Sequence, residues 1–285
     1  MLDDITAERV KRVYPEYNIE QHIHTGGQKA VYRGRNGGQD VVVKIIPMES
    51  QGQRKRAERE IMAMERIDHP NMVDLSDYFA DELDGNPIWV LVEEFIEGNT
   101  LRDELEEAGP SLDLGLSVSE TLLQVLQEFD EENIVHRDIK PENIIIRPGG
   151  EVVLLDVGIA RFLTETSLTP TLAPRGPGTV GYASPEQMNN EKELQDARTD
   201  LFSTGIVLAE AITGVHPFDM NGIDIRTAII NDRKRALTEM AEFEVDPALQ
   251  EFYDTLTQHE PYQRYRKPAF ALDDLKNIKE NNDAV

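Results

Sequence analysis

The side chains with the most chemistry in this chain lie in one stretch, I-V-H-R-D-I-K-P-E-N-I-I-I, residues 134–146. An apolar pair leads into a run of ionisable residues, a proline breaks the run, and three isoleucines close it and read as a buried strand. His136, Arg137, Asp138, Lys140 and Asn143 therefore fall on a loop at the lip of a sheet, where a rigid scaffold commonly presents reactive groups. Asp138 is a candidate base, Lys140 a cation two residues on, and Asn143 a neutral oxygen donor. A second strand is predicted over V-V-L-L, 152–155, and runs into Asp156-Val157-Gly158. Two strands so spaced bring an amide and a carboxylate near one place. Hard oxygen donors shared with phosphates are the usual way of holding Mg²⁺.

H-R-D-x-K-x-x-N followed by D-x-G resembles the catalytic core of the eukaryotic-type (Hanks-type) Ser/Thr protein kinases, most closely the bacterial and archaeal members. The resemblance covers about residues 17–280. It implies an α+β, bilobal protein-kinase-like fold: an N-terminal extension over 1–16, a small β-rich N-lobe over 17–95, a larger helical C-lobe over 96–280 and a polar tail over 281–285. It also implies transfer of the γ-phosphoryl group of ATP, with Mg²⁺ or Mn²⁺, to Ser/Thr hydroxyls of a protein. In that scheme Asp138 accepts or orients the hydroxyl proton and Lys140 stabilises the moving phosphoryl group. Asn143 and Asp156 hold the metal, and His136 braces the loop. The lysine two residues after Asp138 is similar to the Ser/Thr branch. Val157 stands where the family has Phe.

Other positions take their roles from the same resemblance. Lys44, at the end of V-V-V-K, corresponds to the lysine that grips the α- and β-phosphates; a lysine in such a β-branched run must be paired or exposed. Counting back from His69 makes Glu60 its expected partner, in preference to Glu65. The phosphate-covering turn is H-T-G-G-Q-K. With Val31 on the family's closing Val, Gly26 is the one glycine kept, His24 and Lys29 replace the other two, and Gly27 is an extra one. E-E-F-I-E-G-N-T-L resembles the hinge, with the carbonyl of Glu94 and the N–H of Ile96 facing adenine. Glu93 lands at the back of that pocket; a buried Glu needs a lysine, a water, or a register different by one. Residues 161–177 read as a mobile, Pro-broken activation loop. Thr169 and Thr171 are the preferred phosphoacceptors among Thr164, Thr166, Ser167, Thr169 and Thr171, and Arg137 would receive the phosphate. In G-T-V-G-Y-A-S-P-E, Thr179 would contact the catalytic Asp and Lys, and Glu186 would pair with Arg264. Asp200 would brace the catalytic loop.

The elements that must position these groups are legible in part. Ile5, Val10 and Val13 predict a short amphipathic helix ended near Pro15. Strands are predicted over Tyr17–Ile23, 30–35 and 40–46, with N-G-G (36–38) as a hairpin turn. A helix over 53–67 carries the apolar stripe Ile61, Met64 and Ile67. Its Arg54, Lys55, Arg56 and Arg59 read either as a solvated face or as a dock for a phosphorylated loop. Strands at 72–80 and 88–95 flank D-E-L-D-G-N-P. Helices follow at 101–108 and 117–130, the second with Leu122, Leu123, Leu126 and Phe129 on one side and S-x-x-E-like caps. The run 200–218 predicts a strongly apolar helix and turn, and 244–279 complete the helical part.

Composition narrows the partners. The chain has 285 residues, no cysteine and a net charge of −25 from 54 acidic and 29 basic residues. Disulfides and Cys-based metal sites are excluded, and an acidic field of this size repels nucleic acid and anionic membranes. No apolar run has the length of a membrane span, and the N-terminus lacks the order of a signal peptide, so the expectation is a cytoplasmic protein. A protein substrate is the expected partner, with a transient homodimer for trans-autophosphorylation. Two other readings compete. A nucleotide-binding scaffold (a pseudokinase) suits the reduced Gly-rich loop, Val157 and Glu93, but has no chemical need for Lys44, Asp138, Lys140, Asn143 and Asp156 together. A small-molecule kinase of the antibiotic or choline type shares the loop Asp and Asn, but usually lacks the G-T-x-G-Y-x-S-P-E segment.

Overall fold

The computed structural model describes residues 5–26, 29–48, 50–156, 161–162 and 181–283. They divide into two units, one from residues 1–68 and 73–97, the other from 69–72 and 98–285.

The first unit opens with helix α1 (Ala7–Val13), whose N-cap Thr6 side chain accepts from the Arg9 N–H. The sequence pattern expects Ile5, Val10 and Val13 to be buried; Val13 is 41% exposed. Tyr14 and Tyr17 enter the core in its place, beside Ile5 and Val10. The reason is Pro15. It converts the chain to a 3₁₀ turn over Pro15–Tyr17, which ends at Asn18 in the left-handed region. The first strand, β1 (Gln21–Thr25), therefore starts four residues later than expected from Tyr17. Next come β2 (Ala30–Asn36), β3 (Gln39–Pro47), helix α2 (Gln51–Arg66), β4 (Leu75–Leu83) and β5 (Asn86–Glu94). The strands form one antiparallel sheet in the order β1-β2-β3-β5-β4. The β4–β5 connection is shorter than D-E-L-D-G-N-P suggests, because Asp84 and Gly85 both take positive φ. A D-G pair with two positive φ angles makes the tight turn whose twist suits a hairpin. Ser50 and Gln53 form a capping box that starts α2.

In the second unit, β6 (Asn99–Thr100), β8 (Ile144–Ile146) and β9 (Val152–Leu154) form a small sheet, and β7 (Ile134–Val135) pairs with β10 (Arg161–Phe162). Helices α3 (Leu101–Glu107) and α4 (Leu112–Glu131) precede β7. Helix α4 begins five residues before the expected Ser117, since Ser111 caps it by accepting the Leu114 N–H at 3.2 Å. Then follow α5 (Pro185–Met188), α6 (Ala197–Thr213), α7 (Ile225–Ile230), α8 (Leu237–Met240), α9 (Pro247–Leu256) and α10 (Pro268–Asp283). Helix α6 is the axis of this unit: every residue from Thr199 to Ile212 is buried. A helix hydrophobic on all sides belongs in the interior of a domain. It starts at Asp196, whose side chain caps the Arg198 N–H, and stops at Gly214, which adopts φ +70°. The residues after it, up to Phe218, belong to the turn expected at the end of the 200–218 run.

Gly115 allows α4 to lie against α6. A Cβ there would stand 2.3 Å from Ile212 Cγ1. Gly115→Ala gains helix propensity of about 1 kcal/mol. Overpacking a rigid core contact costs about 1–3 kcal/mol. The expected outcome is a net loss of stability, read as a lower urea midpoint with an unchanged slope.

Candidate active site

The catalytic-loop residues are built in the second unit from a short hairpin and a helix N-terminus. Ile144 pairs with Leu154 across β8 and β9. Leu155 N–H then donates to the Asn143 carbonyl at 2.8 Å, so the residues just outside the hairpin, Asn143 and Asp156, are delivered to the same edge. Asp156 is half-buried and held at φ +59°, a left-handed conformation that a non-glycine residue adopts at a cost.

Asp138 is gripped from two sides. Lys140 Nζ donates to its Oδ2 at 2.9 Å. Asn143 Nδ2 donates to the Asp138 carbonyl at 2.8 Å and to Oδ2 at 3.0 Å. With its nitrogen engaged there, the Asn143 amide leaves its oxygen as the donor for a cation. Asp138 and Lys140 side chains are each 18% exposed, so the carboxylate is positioned yet reachable.

The loop backbone is fastened from below. Asp200, in the first turn of α6, accepts the His136 N–H at 2.8 Å on one oxygen and the Arg137 N–H at 2.7 Å on the other. Burial raises the Asp200 carboxyl to about 7, against the pull of these two N–H groups. Arg137 is itself in the left-handed region, φ +72°. His136 Nδ1 accepts the Asp138 N–H at 3.2 Å, so Nε2 carries the proton toward the Leu155 carbonyl at 3.3 Å. Burial lowers the imidazole's pKa from its ordinary value. A neutral, wholly enclosed ring with both nitrogens engaged is a brace, not a general base.

Glu186 and Arg264 meet as expected, with paired contacts of 2.7 and 3.0 Å. Their side chains are 1% and 0% exposed. Arg264 also donates to the carbonyls of Gln258, Arg198 and His259, which satisfies all five guanidinium N–H groups. Such completeness is what makes a buried pair tolerable, since removing one partner costs about 3–5 kcal/mol.

Two features of this unit escaped the sequence reading. Gln187 Nε2 donates to the Arg137 carbonyl at 3.0 Å, tying α5 to the catalytic loop. Arg102 joins Glu142 at 2.9 Å, Glu210 at 2.6 Å and the Tyr182 hydroxyl at 2.6 Å, and Tyr182 donates to Glu210. Burial, together with the Glu210 carboxylate, pushes the Tyr182 hydroxyl well above its usual range and keeps it neutral. The available signal was Glu210, an acid inside an apolar helix, which had to find a partner.

In the first unit, Lys44 lies in mid-β3, opposite Val31 of β2 and Leu91 of β5. Its ammonium contacts Glu93 Oε1 at 2.5 Å, both side chains being buried. Glu93 thus has a lysine as its charge partner. Glu60 is also buried, on α2, and Lys29 Nζ lies 3.9 Å from its Oε1. Gly26 N–H donates to the Lys29 carbonyl at 3.0 Å and closes the β1–β2 turn. Glu94 ends β5 opposite Val41, the Phe95 N–H donates to the Asp40 carbonyl at 3.2 Å, and Ile96 is buried. Gly27, Val157, Thr169, Thr171 and Thr179 lie outside the described residues.

Comparison with known proteins gives one answer. The model of the protein kinase domain matches residues 17–273. A probable serine/threonine-protein kinase of Clostridium perfringens is 29% identical over 93% of this chain and 38% of its own length. The serine/threonine-protein kinase PrkC of Bacillus subtilis is 34% identical over 73% of this chain and 32% of its own. The probable serine/threonine-protein kinase PknB of Lactococcus lactis is 33% identical over 71% and 32%. The chain belongs to the protein kinase family, with the Hanks-type Ser/Thr kinases among its relatives, and it spans about a third of the length of the curated relatives it matches.

The Asp200 clamp carries a pH signature. A carboxyl whose folded pKa, about 7, exceeds its unfolded value of 3.8 favours the native state fully below the lower value and loses that contribution as pH rises through the upper one. The stability of the unsubstituted chain minus that of Asp200→Asn is expected to fall between about pH 4 and 7, by at most about 1.4 kcal/mol per pH unit. Urea unfolding of both proteins at several pH values reads it; a constant difference contradicts the shift.

Proposed function

We propose that this chain is the catalytic domain of an ATP-dependent Ser/Thr protein kinase. The observation that carries the reading is the state of Asp138: one carboxylate, partly exposed, held by Lys140 and Asn143 on a loop that Asp200 clamps through its backbone. Phosphoryl transfer needs positioning and charge neutralisation more than covalent chemistry. Asp138 aligns the incoming hydroxyl and accepts its proton. Lys140, already beside Asp138 Oδ2, follows the charge onto the transferring group. The Asn143 amide oxygen and the Asp156 carboxylate would hold a divalent cation, Mg²⁺ or Mn²⁺, which would supply charge neutralisation at the phosphate oxygens of ATP. Lys44 supplies the cation for the α- and β-phosphates, with Glu60 as its anionic partner in turnover. Glu94 and Ile96 offer backbone groups to the base. The activation loop is the proposed site of autophosphorylation, on Thr169 and Thr171, with Arg137 as receiver, by way of a transient homodimer. Glu186, paired with Arg264, and Thr179 belong to the segment that supports a peptide substrate.

Beside the reduced Gly-rich loop and Val157, the scaffold reading is favoured by the contact of Lys44 with Glu93. The two readings separate in an incubation with γ-labelled ATP and Mg²⁺, alone and with a generic Ser/Thr substrate, followed by mass mapping. The expected outcome is label on Ser or Thr, including the 164–171 cluster, and a loss of at least about 10³-fold in Asp138→Asn and in Asp156→Asn. Nucleotide binding without transfer under any metal or salt condition establishes the scaffold.

A further inference from the structure

Within the first unit, four charged side chains form two pairs that the resemblance does not anticipate. Lys44 lies 2.5 Å from Glu93, with side-chain exposures of 7% and 3%. Lys29 lies 3.9 Å from Glu60, with exposures of 21% and 4%. Glu93 is itself buried, and Lys44 is the cation beside its carboxylate that offsets the charge. Lys29 stands at the turn where a glycine would be expected, and Glu60 is the carboxylate it approaches. The formal charges of the set sum to zero. A polyanion that uses Lys44 must therefore draw on an ammonium whose charge a carboxylate already offsets. At low dielectric such an offset is worth far more than at a wet surface.

We propose that Glu93 is a positioning residue that competes with nucleotide phosphates for Lys44, and that Lys29 offsets Glu60, so that these two side chains together set the affinity of the domain for phosphate-bearing nucleotides. This inference rests on the nucleotide-binding reading above. Its physical content is a split by ligand charge. Removing the Glu93 charge raises the net charge of the set by one and strengthens attraction for phosphates. A neutral nucleoside is indifferent to that change. A residue that merely shaped the base pocket would alter both ligands alike.

The test is calorimetric titration of the full chain with Mg-ATP and, separately, with adenosine. Glu93→Gln keeps the side-chain shape and is expected to tighten Mg-ATP about tenfold, equivalent to roughly 1.4 kcal/mol. Adenosine, which carries no phosphate, is expected to gain none of this tenfold, and the Mg-ATP gain disappears when Lys44→Met is added. Lys29→Met changes a more exposed side chain and keeps the inference testable if Glu93→Gln does not fold. It removes one positive charge and is expected to weaken Mg-ATP by a similar factor, again without effect on adenosine. Weaker Mg-ATP binding by Glu93→Gln, parallel changes for both ligands, or unaltered Mg-ATP binding by Lys29→Met overturns the inference. If the unsubstituted chain binds neither ligand, the proposed function itself fails; if it binds both and only the variants depart from expectation, this inference alone falls.

Discussion

Asp200 is the constraint on which the loop of His136, Arg137 and Asp138 depends. Its carboxylate is buried in the first turn of α6 and receives two consecutive backbone N–H groups, those of His136 and Arg137. Burying a carboxyl is unfavourable, and the shift of its pKa to about 7 expresses that. The compensation is geometric. Arg137 adopts φ +72°, a conformation costing a non-glycine residue about 1–2 kcal/mol. The two hydrogen bonds and the favourable N-terminal end of the helix hold it there. The turn so made aims Asp138 outward while His136 points inward between the Asp138 N–H and the Leu155 carbonyl. Because α6 is buried from Thr199 to Ile212, the clamp is anchored to the interior of its unit.

The same logic recurs where charge is buried elsewhere. Arg264 sits over the Phe202 ring with every N–H donor engaged and joins the Glu186 turn to α6 and the following loop. Arg102 gathers Glu142, Glu210 and Tyr182 from three separate elements. In a chain of net charge −25, Arg264, Arg102 and Lys44 each have at least one carboxylate partner. Lys140 is the instructive contrast. It is paired with Asp138, but both remain partly exposed, so the pair stays open to solvent rather than locked in the core.

Short-range interactions are legible in the chain and long-range ones are not. Asp138, Lys140 and Asn143 could be assigned from local spacing, because a loop followed by a buried strand puts them within a few residues of one another. The hairpin at 36–38 was equally visible, while the D-G turn at 84–85 was present in the sequence and misjudged as a longer connection. Boundaries shifted where local geometry overrode periodicity: the 3₁₀ turn over Pro15–Tyr17 delayed β1, and Tyr14 and Tyr17 entered the core in place of Val13. Ser111 started α4 ahead of the apolar stripe.

By itself the sequence determined which chemical groups the protein possesses, their order, and the local turns and strands that present them, since backbone propensity and short-range sterics act over a few residues. Tertiary structure decided which charge meets which. Lys44 rests on Glu93, which the sequence marked only as a buried acid in need of a partner. Arg102 finds Glu210 across 108 residues of chain. The physical reason is that a buried ion pair is selected by desolvation: in the interior, the nearest opposite charge is the one that packing brings to hydrogen-bonding distance, and no periodicity in the sequence encodes that distance.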